Sequence, residues 1–313
     1  MPRQELSVAG YDIIISGTSE WLIDAVCEFF GGPNAPNMTD GRDRLEVHVE
    51  ANEAPVDHTV GRAPDHREGP VRCWYDDPLL HLAHDLGASA TATESGISIG
   101  VDVTNPLQPQ MRHLLFSALS WWLDRKRTLL LHAALISRRE LGLLILGPSG
   151  AGKSTLAYAA HRAGWAVHSD DLVVIRATSS PTGYGVPKPL SIDRALLPAA
   201  VHRSGAEQLD QRSRVRISSE MLSRQSTPIG ALVVLGHSDA DGSIVTRPDS
   251  LAAIAEGFLE AHRPESMKRQ LPTIAKLASL PAYELLHDRK PSARVDSAAA
   301  LLESITATVS ESQ

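Results

Sequence analysis

Cysteine is scarce in this chain: two in 313 residues, Cys27 and Cys73. They make neither a metal-ligand spacing nor a disulfide framework, so both read as small buried hydrophobes of a protein in a reducing cytoplasm. No apolar run reaches the roughly eighteen residues of a membrane span, and the first residues, MPRQELSVAGYD, lack a continuous apolar segment. Neither export nor membrane insertion is expected. Basic charge is not in excess either, with 30 Lys and Arg against 37 Asp and Glu for a net charge of −7. That balance argues against a general nucleic-acid surface. A guanine-specifying N-K-x-D and an ABC-type signature are both absent, which speaks against a nucleotide switch or a mechanical ATPase.

What is present is an ordinary globular composition, 42% apolar and 21% charged, in a length that suggests about two domains. Residues 1–128 read as a smaller α/β domain with a substrate-binding or regulatory role. Its expected elements are a strand over Val8–Ile15, a helix over Glu20–Phe30, a strand over Leu45–Val49, a helical pattern around Leu79–Leu86, a strand over Ile97–Val103 and a helix over Gln110–Arg127. Trp121 and Trp122 are expected to pack that last helix against the next domain. Stretches 31–43 and 52–70 read as loops in which His58 and His66 are solvated, since no Cys or His partner stands at metal spacing.

Residues 129–313 read as a second α/β domain with a mostly parallel sheet, because short apolar runs alternate with helical ones. The run Leu129–Ile136 carries one histidine, His132, and Arg138-Arg139-Glu140 makes a turn. Leu143–Leu146 then leads into Gly147-Pro148-Ser149-Gly150-Ala151-Gly152-Lys153-Ser154-Thr155, which fits G-x-x-x-x-G-K-[ST] between a strand and a helix. The chemistry needs that spacing. Glycines let backbone N–H groups wrap a polyphosphate closely, Lys153 offers a compact charge to the β and γ phosphates, and the Ser154 hydroxyl suits Mg²⁺. The binding set for ATP is therefore Gly147, Ser149, Gly150, Ala151, Gly152, Lys153, Ser154 and Thr155.

The second carrier of chemistry is Ser169-Asp170-Asp171, which precedes the apolar run Leu172–Ile175. Adjacent carboxylates soon after a phosphate loop suit two tasks, holding Mg²⁺ and accepting a proton from an attacking hydroxyl.

These elements together resemble the catalytic domain of HPr kinase/phosphorylase and its HPr-kinase-like relatives. The resemblance rests on Leu131-His132-Ala133, the loop 147–155, and the Ala160-x-x-x-Gly164-x-x-x-x-Ser169-Asp170-Asp171 pattern, within about Leu129–Ile192. It implies an HPr-kinase-type P-loop fold and a serine kinase using ATP and Mg²⁺. By the resemblance Asp171 is the base, Asp170 and Ser154 serve the metal, and Lys153 and His132 complete the catalytic set. The segment Val186-Pro187-Lys188-Pro189-Leu190-Ser191 looks like the lysine–proline segment of relatives found beside peptide natural-product genes. The acidic metal residue of the long family signature is not recognisable over 183–204, which leaves a second metal ligand unassigned.

Lys188 either approaches a phosphate or the acceptor, or caps a loop. Arg212, Arg214 and Arg216 fall on one side of a strand if the segment is one, either to take an acidic peptide or phosphate, or as a solvated face. A strand over Ala231–Leu235, helices over Pro248–Ala261 and Met267–Leu280, a strand over Ala282–Leu286 and a closing helix over Ala293–Thr308 complete the domain. The function expected is ATP-dependent phosphorylation of a serine hydroxyl in a peptide or protein, with lasso-peptide precursor kinases the most similar relatives in length and layout. A small-molecule hydroxyl kinase and a nucleotide-binding ATPase or switch are the alternatives. A homo-oligomer is compatible with the sequence; nucleic-acid and membrane partners are not expected.

Overall fold

The computed structural model describes residues 1–32, 43–52, 61–102, 108–177, 179–193, 214–217, 221–237, 243–246, 250–258, 263–287, 300 and 302–309. It is a mixed α/β protein whose chain divides into two compact units, Met1–Arg127 and Thr128–Gln313. Among the described residues no helix is long and apolar enough to cross a membrane.

The first unit contains β1 (Arg3–Val8), β2 (Tyr11–Gly17), α1 (Glu20–Phe29), β3 (Asp43–Asn52), β4 (His66–Glu68), β5 (Val71–Asp76), β6 (Leu79–His84), β7 (Ser89–Ala92), β8 (Gly96–Asp102) and α2 (Gln108–Arg125). Its strands form one sheet in the order β1-β2-β3-β8-β7-β6-β5-β4. Register aligns Ile15, Val47, Ile97, Ala92 and Leu80 in one line across five strands, and all five are buried. Period-two alternation puts such residues on one face, and the sheet is packed by α1 on β2 and by α2 on β6, β7 and β8.

One helix expected in this unit is a strand. The stretch Leu79–Leu86 begins as strand β6 rather than as a helix, paired with β5 and β7. Leu80, Leu82 and His84 alternate into the core, and the two-residue connection Asp77-Pro78 makes a hairpin. Trp122 packs edge-on against Tyr11 at 5.1 Å and donates its indole N–H to the Glu94 carbonyl at 2.9 Å. His66 is half-buried in β4, whereas His58 and most of the 31–43 loop lie outside the described residues.

The second unit contains β9 (Leu129–His132), β10 (Ala134–Arg138), β11 (Leu141–Leu146), α3 (Lys153–Arg162), β12 (Ala166–Ser169), β13 (Leu172–Ala177), β14 (Pro181–Gly185), β15 (Leu190–Asp193), β16 (Arg214–Ile217), β17 (Thr227–His237), β18 (Ser243–Thr246), α4 (Leu251–Gly257), α5 (Pro264–Ala278) and β19 (Ala282–His287), with residues 302–309 also helical. The main sheet runs β12-β10-β11-β17-β14-β13-β9, with β19 on β17 and β18 on β19.

This sheet is not mostly parallel. Among its described strands only β11–β17 and β17–β19 pair in parallel, because β10–β11 and β13–β14 are hairpins too short for a crossover. The Leu129–Ile136 run is likewise two strands, separated at Ala133 and pairing with different neighbours. Two cores flank the sheet. Leu143 and Ile145 face one with Leu156 of α3 and Leu302 and Ile305 of the last helix; Leu144 and Leu146 face the other with Ile254 of α4 and Leu277 of α5. A strand buried on both faces reads as a continuous apolar run, and it ends at Gly147.

Candidate active site

The chain leaves β11 through a loop that only glycine permits. Gly147, Gly150 and Gly152 have φ of +146°, +84° and +101°, values that L side chains rarely adopt. At Gly147 space is short as well: a Cβ would lie 3.3 Å from Ala151 Cβ and from Leu235 Cβ and O. Helix α3 begins at Lys153 directly after the left-handed Gly152, so its unpaired N–H groups and partial positive charge point into the loop. Ser149 is exposed at the tip of the loop, Ala151 is buried, and Thr155 is half-buried on the first turn.

Lys153 is buried and folded back over this loop. Its ammonium donates to the carbonyls of Gly147 at 2.6 Å and Pro148 at 3.1 Å. Burial pushes its pKa down, against the attraction of Asp171, Glu256 and Asp170. The Ser154 hydroxyl hydrogen-bonds the Asp170 carboxylate, which is 7% exposed. Burial, reinforced by repulsion from Asp171, pushes Asp170 up to about 6, while Ser154 and Lys188 pull it down.

Asp171, the next residue, has a different environment. The turn is set by Ser169, whose hydroxyl accepts the N–H groups of Asp171 at 3.3 Å and Leu172 at 3.1 Å and donates to the Val186 carbonyl at 3.3 Å. Pairing of β9 with β13 places His132 opposite Leu172, and Ala133 N–H donates to the Asp171 carbonyl at 3.1 Å. His132 Nδ1 then lies 2.9 Å from Asp171 Oδ1 and 3.0 Å from its carbonyl oxygen. Both are acceptors, so Nδ1 must carry the proton. On the other side the Lys188 ammonium contacts Asp171 Oδ2. Burial raises the Asp171 pKa, but the His132 hydrogen bond and the Lys188 charge outweigh it and hold the carboxyl well below its usual range.

The fold therefore brings Asp171, Asp170, His132, Lys153, Ser154 and Lys188 into one cluster of interacting side chains. Arg214 is placed in β16, opposite Asp193 of β15, and Arg212 lies outside the described residues. Three further residues shape the cluster, of which only Ser169 belongs to the sequence motif. Ser169 shapes the turn, a role its position before two aspartates could have suggested. Gly185 passes so close to His168 that a Cβ would come 1.9 Å from its carbonyl oxygen. Glu256 sits at the end of α4, where Phe258 bridges to Leu131 and Gly257 packs near the His132 carbonyl; it attracts Lys153. No local pattern marks it.

The residues present suit Mg²⁺ and a nucleotide. A hydroxyl and a carboxylate already hydrogen-bonded to each other are hard oxygen donors, and Mg²⁺ keeps several of its own waters when bound by so few protein groups. Among the described residues no cluster of three His, Cys, Asp or Glu side chains could hold a metal ion. The loop, with three glycines of positive φ and a buried ammonium, is shaped for phosphate.

No protein-family description matches the chain, and no curated protein does. Among solved structures, the HPr(Ser) kinase/phosphatase from Coxiella burnetii is similar at 12% identity over 58% of this chain and 93% of that chain, with a TM-score of 0.33. Overlap at that level identifies neither a fold family nor a reaction.

Proposed function

We propose that this protein is an HPr-kinase-like P-loop kinase that passes the γ-phosphoryl group of ATP to a serine hydroxyl of a peptide or protein. The observation that carries the reading is the placement of the two aspartates: Asp170 meets the Ser154 hydroxyl of the loop, while Asp171 is held by His132 Nδ1–H at 2.9 Å and by the Lys188 ammonium. Two adjacent carboxylates are pushed in opposite directions, one up by burial against Ser154 and one down by His132 and Lys188. Paired titratable groups set apart in this way mark a division of roles.

Asp170 and Ser154 would hold Mg²⁺, which supplies charge neutralisation for the phosphates. The loop N–H groups and Lys153 bind and orient the β and γ phosphates. Asp171 is ionised, half-exposed and fixed by Nδ1–H of His132, so it can accept the hydrogen bond of an incoming hydroxyl, align it in line with the γ-phosphorus and take its proton as the new P–O bond forms. The balance closes: the hydroxyl oxygen gains phosphorus, the β–γ bridging oxygen leaves with ADP, and the proton rests on Asp171. Support for a peptide acceptor comes from the resemblance of Val186–Ser191 to relatives beside peptide natural-product genes, which extends the proposal to precursors of the lasso-peptide kind. Cys27 and Cys73, both buried, fit action in a reducing cytoplasm.

The test is to incubate the protein with Mg²⁺, γ-labelled ATP and serine-containing peptides, with small polyols as a parallel arm. Label in a peptide supports the proposal. Label only in polyols reassigns the acceptor, and label only in free phosphate removes the kinase reading.

A further inference from the structure

Ser169 is 1% exposed, and its hydroxyl works at full capacity. A serine oxygen can donate once and accept twice. Here it donates to the Val186 carbonyl at 3.3 Å and accepts the N–H groups of Asp171 at 3.3 Å and Leu172 at 3.1 Å. Bulk solvent cannot replace an atom so deeply buried.

These bonds belong to a closed ring. From Ser169 Oγ the ring passes through the N–H of Asp171 to its carboxylate, from Oδ2 to the Lys188 ammonium, from the Lys188 N–H to the Val186 carbonyl at 2.8 Å, and back to Ser169 Oγ. Beside the ring, Val186 N–H donates to the Leu172 carbonyl at 3.0 Å, and Gly185 lies against the His168 carbonyl with no room for a Cβ. Pro187 and Pro189 have fixed φ on either side of Lys188. The turn that carries Asp171 and the segment that carries Lys188 are therefore fastened to each other, and one oxygen atom bonds to both. The ring leaves the carboxylate able to work. A carboxylate has roughly four lone-pair sites; His132 takes one at Oδ1 and Lys188 one at Oδ2, so each oxygen keeps capacity for an acceptor hydroxyl.

We propose that Ser169 is a positioning residue for phosphoryl transfer: its buried oxygen fixes the Asp171 backbone and the Lys188 segment against each other, so that the carboxylate meets the acceptor hydroxyl in line. The proposal rests on the kinase reading for the reaction and adds a residue whose hydroxyl, rather than its size, sets the rate.

The experiment compares Ser169→Ala, Ser169→Cys and Ser169→Thr with the wild type in transfer of the γ-phosphoryl group from Mg·ATP to a serine peptide. Cysteine keeps the size and loses most of the hydrogen bonding, whereas threonine keeps the hydroxyl. The alanine and cysteine variants should lose roughly ten- to a hundredfold in kcat, the effect of a misplacement of about 1 Å, while binding Mg·ATP within about threefold of the wild type. The threonine variant should recover most of the rate. A wild-type rate in Ser169→Cys, or an equal loss in all three variants, would overturn the proposal. The pH profile separates positioning from a loss of folded protein. Burial raises the Asp171 carboxyl, but the His132 hydrogen bond and the Lys188 charge hold it below its usual range; Asp170 and Lys153, the other charges beside it, are common to all variants. With the ring open the two holding contacts weaken, so the acid limb of kcat should move to higher pH in the alanine and cysteine variants. A rate lowered by the same factor at every pH would overturn the proposal. If the wild type labels no peptide, the kinase reading fails by itself, and the His132 Nδ1–H proton resonance, which reports the hydrogen bond to Asp171, decides whether Ser169 positions that residue. It should move in the alanine and cysteine variants and stay in the threonine variant; a resonance unmoved in all three refutes the role of the ring.

Discussion

Replacing Asp170 with asparagine should stabilise the empty protein while disabling it. Asp170 is nearly fully buried, and its carboxyl is pushed from 3.8 up to about 6, by burial first and by Asp171 second. The folded protein therefore binds this proton more tightly than the unfolded chain does. Ionising Asp170 costs stability at high pH, and the cost fades as pH falls through about 6 towards 3.8. The difference of roughly two pKa units, at about 1.36 kcal/mol each, puts the cost near 3 kcal/mol at pH 8. Asparagine has nearly the same shape and keeps an oxygen for the Ser154 hydroxyl, without the charge. Asp170→Asn is expected to raise the free energy of unfolding by roughly 1–3 kcal/mol at pH 8 and by less than about 1 kcal/mol near pH 4. Urea denaturation at the two pH values measures this. With Mg·ATP at about a hundred times its dissociation constant the wild type should gain roughly 2.7 kcal/mol, and the variant should lose the Mg²⁺-dependent part of that gain. A variant less stable than the wild type at pH 8, or a gain equal at both pH values, would refute the reasoning.

Other outcomes follow from the same structure. Gly185→Ala drives a Cβ into the backbone of His168, so it should cost roughly 3 kcal/mol or more by thermal melting; a neutral effect would contradict the close approach. In the first unit, His84 Nδ1 accepts the Leu86 N–H at 3.2 Å, so His84 Nε2–H must donate to His113 Nδ1, also at 3.2 Å. Neither ring can gain a proton without breaking this chain, and burial, aided by mutual repulsion at His84 and by Arg112 at His113, lowers both pKa values while Asp85 opposes this at His84. The unfolded chain then binds more protons below about pH 6.5, and the first unit should lose stability as pH falls below that value. Hydrogen exchange of peptides from Met1–Arg127 measures the loss, and His84→Asn with His113→Asn should flatten it.

The loop geometry was legible where it is local. The glycines, Lys153 and Ser154 lie within one loop and one helical turn, so spacing alone anticipated their placement, and Asp170-Asp171 stood out as carboxylates before an apolar run. Contacts made by topology were not. Lys188 reaches Asp171 across 17 residues and His132 reaches it across 39, and only the hairpin of β13 with β14 and the pairing of β13 with β9 reveal either contact. Elements whose apolar spacing is ambiguous were misread for a related reason. Leu129–Ile136 is buried except for His132, so its period carries no mark of the break at Ala133, and Leu79–Leu86 places leucines at spacings that suit a helix as well as a strand. Runs of alternating strand and helix suggested a parallel sheet, but the short connections at Arg139-Glu140 and after Ala177 turned neighbours antiparallel. Glu256 could not have been found, since nothing around it in sequence differs from an ordinary helix end.

The central claim is that Asp171 acts on the acceptor while the loop acts on the nucleotide, and Asp171→Asn measured beside Lys153→Ala tests it most directly. Asp171→Asn should bind Mg·ATP within a few-fold of the wild type yet transfer the γ-phosphoryl group to a serine peptide roughly 100- to 10,000-fold more slowly, whereas Lys153→Ala should lose nucleotide binding itself. Transfer that continues at the wild-type rate in Asp171→Asn would contradict the account.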